Sequence, residues 1–147
     1  MIEAQSIITR LIARVDGFAS VQGALELAAL LQSNPQVHVK PRAYVVPLGL
    51  RGGAVTSVTG AFLQSVDLSF AVFIAFSAAA DRSGKRHVNE VSAIQSAVIA
   101  ALCGWVPTGS TINGDLRLGR AYLAELKPGA IVYALEFIVP DQIRIVP

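Results

Sequence analysis

Apolar positions in residues 4–15 fall on one helical face. Ile7, Ile8, Leu11, Ile12 and Val15 recur at spacings of three and four, with Arg10 and Arg14 elsewhere. The pattern predicts a helix ended by Asp16-Gly17, with the glycine in a left-handed turn. Residues 21–33 predict a second helix, capped by Ser20, weakened by Gly23 and stopped before Asn34-Pro35. The period then changes. RAYVVPLG, residues 42–49, predicts a short strand ended by Pro47, because proline favours a strand terminus or a sheet edge. The Gly-, Ser- and Thr-rich residues 50–60 predict a mobile loop.

The cleanest alternation of the chain follows. In residues 64–76, Val66, Leu68, Phe70, Val72, Ile74 and Phe76 point to one face, and Asp67, Ser69, Ala71, Phe73 and Ala75 to the other. After a polar loop, residues 81–87, a third helix carries Val88, Val91, Ile94, Val98, Ala101 and Leu102 as its apolar stripe. Residues 116–126 and 130–139 predict two strands that pair as a hairpin about Pro128-Gly129. The whole reads as an α+β protein with a mainly antiparallel sheet of about four strands and about three helices, in one domain over residues 1–147. DQIRIVP, at the end, reads as a tail that orders only against a partner.

The last strand departs from the usual pattern of a half-exposed antiparallel strand. Ile131, Tyr133, Leu135, Phe137 and Val139 occupy one face, and Val132, Ala134 and Ile138 stand beside Glu136 on the other. Helices can cover one face of the sheet, and the other needs cover too, from the long loop, from a neighbouring subunit or from helices on that side as well. Composition points the same way. The chain is 53% hydrophobic and 15% charged, against about 25% charged in ordinary soluble proteins. Its longest nearly uncharged apolar stretch, FAVFIAFSAAA, is well short of the ~18 residues of a membrane-spanning helix. The first residues, MIEAQSIITR, have an acid at position 3 and no basic run, unlike a secretory signal. The expectation is a cytoplasmic protein that buries apolar surface in an oligomer.

Candidate chemistry is sparse. With one cysteine and two distant histidines, the chain offers no disulfide framework and no metal-ligand spacing, so no catalytic, metal or cofactor residue is assigned. Cys103 stands at a helix C-terminus, not at the N-terminal end that activates a thiol, and reads as an inert, buried packing residue. The sequence around it, LCGWVPTG, reads as a structural anchor. Gly104 ends the helix in a left-handed conformation, Pro107 blocks its continuation and Trp105 folds the chain back onto the core. A net charge of +2 is small, and the one basic cluster, Arg82, Lys85 and Arg86 with His87, reads as a solvated loop. A hydrolase built on His87 with Asp81 or Cys103, and a nucleic-acid module built on the basic loop, are weaker readings of the same residues. Asp67 and Glu136, the acids inside strands, suggest inter-subunit salt bridges.

The order of these segments resembles the tail terminator, or tail-completion, proteins of long-tailed phages, of the Mu-like and siphophage type. The resemblance covers roughly residues 4–139. It rests on the leading amphipathic helix, RAYVVPLG, the Gly-rich stretch before QSVDLSFAVFIAF, the helix ending in LCGWVP and the aromatic-rich closing strand. It implies a structural virion protein of the tail or neck, not an enzyme. A hexameric ring would cap the tail tube, stop its polymerisation and offer a surface to head-side connector proteins, with DNA passing through the lumen without specific binding. Another head–tail connector or minor tail protein is the alternative. Interface candidates come from chemistry alone: Arg51 and Val55, Arg82, Lys85 and Arg86, and Asp67 and Glu136.

Overall fold

The computed structural model describes residues 2–32, 40–58, 60–77, 85–107, 114–127 and 130–147. Its elements are α1 (Ala4–Arg14), β1 (Ser20–Gln22), α2 (Ala24–Gln32), β2 (Arg42–Val58), β3 (Ala61–Ser77), α3 (Lys85–Leu102), β4 (Arg117–Lys127) and β5 (Ala130–Ile145). The five strands form one sheet in the order β1-β2-β3-β5-β4, antiparallel throughout except for the parallel β1–β2 pair. The α+β class and the antiparallel sheet are as the sequence predicts, with one strand more.

The added strand is β1. Its three residues lie where the apolar pattern predicts the start of the second helix, which instead opens at Ala24 after Gly23. Ser20 is therefore no helix cap: it pairs with Arg42 of β2, and the neighbouring Ala19 N–H donates to the Pro41 carbonyl at 2.8 Å. Gly17 is not a left-handed terminator either, since α1 ends at Val15 in an extended conformation. A Cβ at Gly17 would lie 2.9 Å from Ile94 Cδ1, so the glycine admits α3 close to the chain.

β3 spans the sheet with the predicted alternation. Its even-numbered side faces α1 and α3, where Ile7, Leu11, Val98 and Leu102 pack on Phe70, Val72, Ile74 and Phe76, and on Leu135, Phe137 and Val139 of β5. Phe70 and Phe137 stack with centroids 5.5 Å apart, and Tyr133 meets Phe76 edge-on. Part of the other side is covered by α2, whose Leu27 and Leu30 close over Tyr44, Ala75, Ala130 and Val132. Helices on both faces thus account for the doubly apolar part of β5. Two stripe residues miss the core. Ile12 is exposed because it lies about 90° around α1 from the line of Ile7, Leu11 and Val15. Val88 is exposed a turn ahead of Val91, the first buried residue of α3 among those whose burial is described.

The largest departure concerns residues 50–60 and the C-terminus. The expected loop is the outer half of β2, paired with β3 from Leu50↔Leu68 to Val58↔Ala61. Pro47 does not end the strand; it sits opposite Phe70 where β1 no longer flanks β2, so its missing N–H breaks no sheet bond on that open edge. The glycines belong to bulges, between Pro47 and Gly49 and between Gly52 and Val55. At the second, Gln64 Nε2 and Ser65 Oγ donate to the Gly53 and Ala54 carbonyls, both at 3.3 Å. The expected tail is likewise strand: β5 continues past Pro140 to Ile145, which pairs with Phe62. β2, β3 and β5 therefore extend together beyond the helices as a three-stranded arm.

Candidate assembly interface

At LCGWVPTG, Gly104 adopts a φ of 77°, left-handed as predicted, and its N–H donates to the Leu116 carbonyl at 2.9 Å. Trp105 donates to the Leu102 carbonyl at 3.2 Å and accepts from Leu116 N–H at 3.0 Å, which ties the end of α3 to the start of β4. The indole is half-buried against the core, with the Arg10 guanidinium 5.1 Å above it. Arg10 Nε also donates to the Ala101 carbonyl at 2.9 Å, placing a cation on the negative end of the helix dipole. Pro107 is buried, and Cys103 is half-buried, where the sequence predicts full burial. Thr108 and Gly109 of this motif lie outside the described residues. A Cβ at Gly104 would meet nothing within 4 Å, so only backbone strain opposes a side chain there. The variant Gly104→Ala is expected to lose about 1 kcal/mol in urea denaturation, and an unchanged midpoint would contradict the left-handed assignment.

The strand acids occupy the face that α2 covers only in part. Asp67 stands opposite Arg51 in the β2–β3 register and opposite Pro140 in β5, whereas Glu136 stands opposite Ala71. The two acids share a face but lie four positions apart along the ladder. Glu136 is engaged within the chain: Arg120 Nε donates to Oε2 at 2.6 Å, and Tyr122 Oη to Oε1 at 3.1 Å. The Arg120 hydrogen bond holds the Glu136 carboxyl below its ordinary pKa, and the same contact raises that of Arg120. Desolvation, then the bond to Glu136, raises Tyr122. The Arg120 side chain is 69% exposed, so this bridge orients the group more than it stabilises the fold. Beside it, Leu48, Arg51, Ser69, Gly119, Glu136 and Ile138 line an open concavity of about 360 Å³.

Of the basic cluster, Arg82 lies outside the described residues. Lys85 and Arg86 open α3, and their side chains lie outside the description. Val55 is on the arm and 54% exposed. The structure adds residues that sequence reasoning missed. Leu118, Leu123 and Leu126 of β4 share the sheet face of α1 and α3 but lie beyond the helices, and they are exposed, Leu126 at 68%. Their alternation is hidden in the sequence by bulges at Gly119 and Ala124, which shift the parity of the strand. Among the described residues, no helix is long and apolar enough to cross a membrane, and no three His, Cys, Asp or Glu are grouped to hold a metal.

The described residues thus form a helix-covered sheet with a three-stranded arm and a row of exposed leucines at one edge. The chain belongs to the phage tail terminator protein family, whose profile matches residues 1–145. It is a structural protein of the phage tail, a virion component of a family that is not one of enzymes. No curated protein matches it significantly.

Proposed function

We propose that this protein ends the growth of a phage tail tube. Copies close into a ring, hexameric as in the family it resembles, and seat on the last ring of tube protein. The ring stops polymerisation and presents its far side to a head-side connector, leaving a lumen through which DNA passes without specific binding. The observation that carries the reading is the family match over residues 1–145. The exposed apolar arm and edge support it, because a chain of this composition has surface to bury against partners. Tube protein polymerised with and without the purified chain, viewed by negative-stain electron microscopy, provides the test. Short tubes bearing a terminal ring are expected. Tubes of unchanged length beside a protein that stays monomeric would overturn the proposal.

A further inference from the structure

This inference rests on the ring reading above and concerns the surface through which the copies join. The sheet has two open edges. β1 flanks β2 only at Arg42, Ala43 and Tyr44, so among the described residues no strand lies on the outer side of 45–58. β4, at the other end of the order, has none along Arg117–Lys127 among the described residues either. Each edge is a row of backbone donors and acceptors of the kind that templates a further strand. From these two edges we propose that β4 of one copy pairs antiparallel with residues 45–58 of the next, continuing a single sheet from subunit to subunit.

Three observations support this join. First, strand polarity matches. β2, β3, β5 and β4 alternate in direction, so copies standing side by side in the same orientation bring β4 against β2 with the alternation unbroken. A join of unlike edges also uses both of them, which a two-fold β4–β4 contact would not. Second, the chemistry of the edges matches. Leu118, Leu123 and Leu126 on β4, and Leu50 and Val55 on β2, all project to the face of α1 and α3, and all are exposed. Edge pairing sets these two apolar rows side by side and covers both. Third, the edges are staggered. The free stretch of β2 lies level with residues 61–72 of β3, and β4, through β5, lies level with residues 69–77. Joined copies therefore shift along the strands by roughly six or seven residues, about 21 Å, for every four strands, about 19 Å of width. That inclines the strands by about 45–50° to the ring axis, next to the 35–45° of closed barrels. An unstaggered sheet would have no such inclination.

The test uses the two exposed edges against each other. Leu123→Arg spoils β4 and leaves β2 intact; Val55→Arg does the reverse. Each variant alone is expected to associate at least 100-fold more weakly than the unaltered chain in analytical ultracentrifugation, with an unchanged far-UV circular dichroism spectrum. An equimolar mixture is expected to form heterodimers and nothing larger, because one sound edge survives on each. Should Leu123→Arg not fold, Leu126→Arg, at a more exposed position, replaces it. Rings that persist in both variants would overturn the edge join and leave the ring reading standing. Val55→Arg dimers that need no second variant would show a two-fold β4 contact and also overturn it. An unaltered chain that stays monomeric even on tube ends would bring down the ring reading, and this inference with it.

Discussion

Replacing Phe137 with alanine is expected to destabilise the fold by about 3–5 kcal/mol. Phe137 is fully buried on β5, stacked on Phe70 of β3 with an interplanar angle of 15°. Its ring fills the space between the sheet and the two helices that cover this face, in a cluster with Leu11, Leu135 and Val139. Truncation removes the transfer energy of the ring, leaves a cavity whose walls are held by strands on both sides, and strips Phe70 of its stacking partner, a contact worth about 0.5–1.5 kcal/mol in itself. The loss reaches the β4 edge and the arm as well, because β5 pairs with β4 on one side and carries the arm with β3 on the other. Urea denaturation followed by circular dichroism measures the effect. Phe137→Leu keeps most of the volume and is expected to lose appreciably less. A Phe137→Ala variant within 1 kcal/mol of the unaltered protein would mean that the β3–β5 face does not carry the core.

The elements legible in the sequence are those whose pattern is set by local burial. β3 alternates because helices cover one of its faces from end to end of the core, and α1 and α3 show stripes because each packs one side on that sheet. The segments that misled are those whose conformation depends on a distant partner. Pro47, Gly49, Gly52 and Gly53 are turn-forming types, and only pairing with β3 makes them bulges of an edge strand. In DQIRIVP, Ile143 and Ile145 alternate, but Pro140 and Asp141 interrupt the run, and its strand character comes from the far end of β3. β1 is three residues long and borders a helical pattern, so no periodicity can mark it. The same reasoning applies to the surfaces. Arg51, Val55, Asp67 and Glu136 stand out by residue type, whereas the leucine row of β4 becomes visible only once its two bulges and the reach of the helices are known.

Trp105→Ala is the second large effect, expected at roughly 2–3 kcal/mol, below the 3–5 of a fully buried tryptophan because this indole is only partly buried. The ring does two things at once. It packs on the core where α3 ends, and it receives the Arg10 guanidinium of α1. Arg10 is held by its bond to the Ala101 carbonyl as well, so truncating the tryptophan leaves the cation in place without its platform. Removing both partners should then cost less than the sum of the separate losses, by about 0.5–1 kcal/mol. A double-mutant cycle of Trp105→Ala with Arg10→Ala measures that difference. The backbone bonds of Gly104, Trp105 and Leu116 involve no indole atom, so the turn is expected to persist and Trp105→Phe to restore part of the loss. A Trp105→Ala variant of unchanged stability would show that those backbone bonds, with Gly104 and Pro107, fix the end of α3 without the ring. An additive cycle would show that the aromatic ring and the guanidinium are neighbours without being coupled.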